Sequence, residues 1–77
     1  MERGFRVQKK EFVKKVGSKI VFNRERCGFT QEKLAELIGV ERNTITRYES
    51  GLREPKLHLL VEIAKVLEIS ITDLLPD

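Results

Sequence analysis

Hydrogen-bonding side chains cluster in the middle of the chain, at Arg42, Asn43, Thr46 and Arg47. If residues 42–49 form a helix, this spacing places them on its outer face, with Ile45 and Tyr48 facing inward. Arginine can bond guanine bidentately, asparagine can do the same with adenine, and threonine can donate, accept or pack its methyl group against thymine. The pattern is suited to reading base edges in a DNA major groove. The alternative is a solvated helix face, on which these residue types are common.

Catalytic and metal-binding chemistry finds little support in the composition. Cys27 is the only cysteine and His58 the only histidine, so an intramolecular disulfide is excluded and a zinc site lacks ligands. The carboxylates are scattered without catalytic spacing. We therefore expect no enzyme activity, no cofactor and no metal.

The elements that would position the central side chains follow from hydrophobic spacing and from glycine and proline. With 77 residues, 40% of them hydrophobic and 35% charged, the chain has room for one small globular domain. No segment alternates with the period of a half-buried strand. The pattern predicts an all-α fold of five helices, over residues 12–27, 31–38, 42–49, 57–67 and 71–75.

Local signals mark the ends of these helices. Thr30 and Ser70 are N-cap residues, Gly39 and Gly51 are helix stops, and Pro55 prevents continuation of the preceding segment. Two short helices joined by a tight turn at Gly39 form a helix-turn-helix arrangement. In such an arrangement the second helix enters the major groove.

Several stretches of the sequence resemble a known protein family. The stretches 30–40, 44–51, 53–55, 63–67 and 69–75 resemble the phage repressor and Cro-like helix-turn-helix family, and the likeness covers about residues 16 to 75. The resemblance implies a lambda-repressor-like domain that regulates transcription. It implies a homodimer on a palindromic operator, with helix 42–49 in the major groove.

The resemblance also assigns roles to matching positions. It implies that Gln31 contacts a phosphate and supports Arg42, and that Ser50, Gly51 and Arg53 hold the DNA backbone. The family's base-reading positions fall on the four residues that helical geometry already placed outward: Arg42, Asn43, Thr46 and Arg47.

Three further positions carry structural expectations. Relatives often form a partly buried ion pair at the positions of Arg24 and Glu49. Glu68 stands where relatives commonly have a glycine, so a left-handed conformation there would be strained by about 1 kcal/mol.

The first eleven residues lie outside the resemblance. We treat residues 1–11 as a basic arm, because they include Arg3, Arg6, Lys9 and Lys10, and residues 12–77 as the helix-turn-helix domain. Residues 1–33 carry ten basic residues against four acidic ones, whereas residues 34–77 carry five against eight. The arm could follow a DNA groove, or it could be a frayed terminus without function.

A self-pairing surface is expected, because one helix in one groove discriminates poorly between sites. Leu59, Val66 and Ile71 form an apolar stripe beyond what the core needs and are the candidate dimer interface. Alternatively, the stripe packs under Phe5 or Val7 of the same chain.

The expected partners are DNA, a second copy of the chain and RNA polymerase. Regulation would arise from occupancy of the DNA site and from contacts with RNA polymerase or a second dimer. The chain has no signal peptide and no apolar run of the roughly 20 residues that cross a bilayer, so we expect a cytoplasmic protein. The alternative function is an antitoxin or another protein-binding module on the same scaffold.

Overall fold

The computed structural model describes residues 8–77. These residues form four α-helices: α1 (Lys9–Arg26), α2 (Gln31–Ile38), α3 (Arg42–Ser50) and α4 (Leu57–Val66). They contain no strand, so the predicted all-helical class is confirmed for the described part of the chain.

The prediction of a fifth α-helix is wrong. Residues Ile71–Leu74 form a single 3-10 turn, which Ser70 caps by accepting a hydrogen bond from the amide of Thr72. Leu75 is already extended, with φ −99° and ψ 143°. The reason is Pro76, which disfavours helical geometry at the residue before it and leaves too few residues for an α-helix.

Helix α1 begins at Lys9, three residues earlier than the spacing predicted. Lys9 and Lys10, which the sequence assigned to the basic arm, are therefore the first residues of α1. Arg3 and Arg6 lie outside the described residues.

The predicted helix ends are present where local signals marked them. The Thr30 hydroxyl accepts a 3.0 Å hydrogen bond from the amide of Lys33 at the start of α2. Gly39 adopts φ +75°, which ends α2 and turns the chain toward α3. Glu68 has φ +58° and so adopts the left-handed conformation that glycine commonly takes at this position in relatives.

The core is enclosed by all four helices: α1 packs against α3, α2 packs against α3 and α4, and the 3-10 turn packs against α1 and α4. Its fully buried side chains come from every helix and from the 3-10 turn: Val16, Ile20, Leu34, Ile45, Tyr48, Ile63, Leu67 and Leu74. The burial of Ile45 and Tyr48 fixes which face of α3 turns inward. The opposite face of α3 is left to solvent.

Candidate nucleic-acid interface

The outer face of α3 carries the predicted base-reading side chains. All are exposed and share the side of the helix opposite Ile45 and Tyr48: Arg42, Asn43, Thr46 and Arg47. Their position on one exposed face gives α3 donors and acceptors that a DNA major groove could meet.

The turn before α3 fixes how this helix projects from α2. After the left-handed Gly39, the amide of Val40 donates to the carbonyl of Ala35 at 2.9 Å. Val40 also packs against the core. Glu41 is the N-cap of α3 but makes no capping bond through its side chain.

A buried ion pair ties α1 to the end of α3. Arg24 Nε donates to Glu49 Oε2 at 2.6 Å and Arg24 Nη2 donates to Glu49 Oε1 at 3.1 Å. The two side chains are only 11% and 4% exposed. Arg24 Nη1 also donates to the carbonyl of Phe29 at 2.7 Å, which connects the pair to the segment before α2.

The environment of Arg24 shifts its protonation equilibrium. The hydrogen bond to Glu49 raises the pKa of Arg24, partly opposed by burial, which disfavours the charged form. The guanidinium is therefore held in its charged state. It can satisfy the buried carboxylate of Glu49 with two parallel bonds.

Gln31 connects this ion pair to the outer face of α3. Its Nε2 donates to Glu49 Oε1 at 2.8 Å, and its Oε1 accepts a 3.1 Å hydrogen bond from Thr46 Oγ1. Among the described residues its hydrogen-bond partner on the reading face is Thr46, and support of Arg42 by Gln31 stays a prediction. The buried carboxylate draws the amide toward the last turns of α3, one turn beyond Arg42.

One backbone carbonyl, that of Arg47, accepts most of the hydrogen bonds that hold the loop after α3. The Arg47 oxygen accepts hydrogen bonds from the amides of Leu52 at 3.0 Å and Arg53 at 3.3 Å, and from the Ser50 hydroxyl at 3.3 Å. Gly51 has φ +78°, and a Cβ there would lie 3.0 Å from Lys14 Cα. Glycine at this position therefore serves both the turn and the close approach to α1.

These contacts place the predicted phosphate-binding residues beside the reading face. Ser50 and Arg53 are exposed, and Gly51 is half-buried. Gln31 is half-buried at the start of α2 and is hydrogen-bonded to Thr46 and Glu49 of α3.

The candidate dimer residues are only partly covered by their own chain. Leu59, Val66 and Ile71 are each half-buried and pack against the core of their own chain. The alternative partners Phe5 and Val7 lie outside the described residues.

Other kinds of site were sought among residues 8–77. They hold no group of three or more His, Cys, Asp or Glu side chains that could bind a metal ion. Cys27 is exposed and free. Within the same residues, no helix combines the length and apolarity required to span a membrane.

Comparison with known proteins agrees with this geometry. The helix-turn-helix family model HTH_3 matches residues 23–74. An uncharacterized HTH-type transcriptional regulator of Archaeoglobus fulgidus is 45% identical over 51 residues, which are 66% of this chain and 73% of that protein. The cryptic phage CTXphi transcriptional repressor RstR of Vibrio cholerae serotype O1 is 37% identical over 60 residues, covering 78% of this chain and 54% of RstR.

A solved structure shares the fold. The restriction-modification controller protein C.AhdI from Aeromonas hydrophila superposes with a TM-score of 0.77 at 31% identity, over 80% of this chain and 94% of that one. The fold and the exposed face of α3 define a DNA-binding helix-turn-helix domain. The chain belongs to the HTH_3 helix-turn-helix family, whose relatives include transcriptional regulators.

Proposed function

We propose that the protein is a sequence-specific regulator of transcription that binds double-stranded DNA as a homodimer, with α3 in the major groove of each half of a palindromic operator. The observation that carries this proposal is the exposed face of α3. Its two arginines, asparagine and threonine lie together opposite the buried Ile45 and Tyr48. They are side-chain types that recognise base edges.

The phosphate contacts complete the proposed docking. Gln31 lies at the start of α2, and Ser50, Gly51 and Arg53 follow α3. Phosphate contacts from α2 and from the end of α3 would fix the register of α3 on the duplex, while the base contacts supply specificity.

The proposal is tested by selecting bound duplexes from a random library at fixed salt. We expect an inverted repeat with half-sites about 34 Å apart. Arg42→Ala and Arg47→Ala should each relax the preference at a different position of the half-site. Arg26→Ala removes an exposed arginine from the end of α1 and is the matched control, which should leave the selected sequence unchanged. Enrichment without any sequence preference would refute the proposal.

The proposed dimer uses the stripe of Leu59, Val66 and Ile71. Leu59→Glu should shift the sedimenting species toward monomer, because a carboxylate would be desolvated in the interface. Leu57→Glu on the same helix is the control, since Leu57 is 71% exposed and lies outside the stripe. Because Leu59 also packs against its own core, unfolding of both variants must be measured in parallel. A folded Leu59→Glu variant that stays dimeric would exclude the stripe.

We further propose that the protein acts by binding in the cytoplasm and not by catalysis. The similar proteins described above are named as transcriptional regulators, which supports this proposal. Occupancy of the operator and contacts with RNA polymerase or a second dimer would then produce the regulatory effect.

A further inference from the structure

A chain of hydrogen bonds runs from the protein interior to the reading face. It consists of Arg24, Glu49, Gln31 and Thr46, which we call the relay. Its inner end is the ion pair, in which Glu49 is 4% exposed and held by two bonds from Arg24. Its outer end is the exposed Thr46.

The inner end determines which way the Gln31 amide points. Nε2 donates to Glu49 Oε1 at 2.8 Å. The reverse orientation would place the amide oxygen against a carboxylate oxygen, which has no hydrogen to share. The buried carboxylate therefore directs Gln31 Oε1 toward Thr46.

The hydroxyl of Thr46 then faces two acceptors. Its Oγ1 lies 3.1 Å from Gln31 Oε1 and 3.2 Å from the carbonyl oxygen of Arg42. A threonine hydroxyl has a single hydrogen, and Gln31 Oε1, the nearer acceptor, takes it because the Arg42 carbonyl already accepts a helical N–H. What Thr46 has left for a ligand is its oxygen lone pairs and its methyl group.

We propose that the relay makes Thr46 an acceptor-only reader, so that the operator position facing Thr46 excludes guanine. This inference rests on the proposed DNA-reading function and narrows it. In the major groove guanine presents only the acceptors N7 and O6, whereas adenine N6 and cytosine N4 donate and thymine offers its methyl group. Thr46 can accept from adenine or cytosine and can pack on thymine. It has no hydrogen for guanine.

The roles within the relay differ. Thr46 contacts the base, whereas Gln31 and Glu49 are positioning residues that act through Thr46. A purely structural role for the ion pair would change stability and overall affinity but would leave the base preference at one position unchanged. Base preference is therefore the readout that separates the two roles.

The first part of the test locates the position. Duplexes selected by the wild-type chain and by Thr46→Ala are sequenced, and the position whose preference relaxes in the variant is the one that Thr46 reads. In the wild-type pool, guanine at that position should be depleted roughly fivefold or more, as expected when a hydrogen bond is replaced by two opposed acceptors. Guanine at or above its starting frequency would overturn the proposal.

The second part of the test removes the ion pair at the inner end of the relay. The double variant Arg24→Met/Glu49→Met removes both charges together, so neither is left buried and unpaired. Gln31 can then reverse and donate to Thr46, which frees the threonine hydrogen for guanine. Guanine should recover severalfold at this position only, while the preferences lost in Arg42→Ala and Arg47→Ala are retained.

If the double variant does not fold, the single substitution Gln31→Met tests the same positioning role. Gln31→Met removes the amide from a half-buried surface position. Thr46 then has only the Arg42 carbonyl, which already accepts a helical N–H, so guanine should recover to a smaller extent. Unchanged depletion of guanine in the folded variants would overturn the positioning roles.

Failure of this inference is distinguishable from failure of the proposed function. If the arginine variants relax their positions but Thr46→Ala relaxes none, only the relay is refuted. If the wild-type chain enriches no sequence at all, the DNA-reading function itself is refuted, and the relay with it.

Discussion

The backbone of Gly17 in α1 lies directly against the carbonyl oxygen of Tyr48 in α3. A Cβ on Gly17 would collide with Tyr48 O and would lie 2.7 Å from Glu49 O. Both obstacles are backbone atoms, so no side-chain rotation can relieve the clash. This contact sets the distance between α1 and the helix that carries the reading face.

Replacing Gly17 with alanine should therefore destabilise the fold. Alanine improves helix propensity by about 1 kcal/mol, but overpacking costs typically about 1 to 3 kcal/mol and here acts on rigid backbone. We expect a net loss of about 1 kcal/mol or more in the free energy of unfolding, measured with urea. Ser18→Ala, at the neighbouring exposed position, should change it by less than about 0.5 kcal/mol. A Gly17→Ala chain as stable as the parent would show that α1 and α3 can separate freely.

The Arg24–Glu49 pair provides a second prediction. Arg24→Met leaves a carboxylate that is 4% exposed without its partner, so we expect a loss of about 3 kcal/mol or more in the free energy of unfolding. The exposed pair of Lys33 and Glu36, 3.6 Å apart, is the control, and Lys33→Met should cost less than about 1 kcal/mol. Equal losses in the two variants would contradict a structural role for the buried pair.

The contribution of the Arg24–Glu49 pair to the free energy of unfolding should depend little on pH near neutrality. Glu49 raises the pKa of Arg24, so the guanidinium contributes its full stabilisation below the pKa of arginine in the unfolded chain. That contribution declines only as the pH rises through the raised pKa, in the strongly alkaline range. The difference in unfolding free energy between the parent and the double variant Arg24→Met/Glu49→Met, which leaves no unpaired carboxylate, should thus be constant from pH 7 to about 9. A difference that falls by about 1 kcal/mol in this interval would contradict it.

The ends of α2 and α3 were predictable from the sequence because their causes are local. Thr30 and Gly39 act within a few residues of their own position, and each has the predicted role in the structure. The inward side of α3 was also predictable, since helical periodicity alone places Ile45 and Tyr48 together.

Contacts between distant residues were not predictable in the same way. Gln31 and Thr46 are 15 positions apart, and no spacing rule indicates that an amide at one will orient a hydroxyl at the other. The role of Gly17 depends on a carbonyl in another helix. The early start of α1 had no signal either, because Gln8 makes no capping bond through its side chain.

Arg53 offers a test of phosphate binding that is separate from base reading. Its exposed side chain follows the loop held by the Arg47 carbonyl. If Arg53 neutralises one phosphate, Arg53→Ala should weaken binding to all sequences alike and reduce the slope of log affinity against log salt by about 1. Lys65→Ala removes an exposed charge from the last turn of α4 and should leave the slope unchanged. Altered base preference without a change in slope would assign Arg53 to a base.

The left-handed backbone at Glu68 predicts that glycine at this position would stabilise the fold. Its φ of +58° is a conformation that costs a residue with a Cβ about 1 kcal/mol, and glycine avoids this cost. Glu68→Gly should therefore raise the free energy of unfolding by up to about 0.5 kcal/mol, after the greater entropy of glycine in the unfolded chain is subtracted. Glu62→Gly, an exposed position inside α4, should lower it by about 1 kcal/mol, because glycine is a poor helix former. If both variants are destabilised equally, the left-handed backbone at Glu68 is not a source of strain.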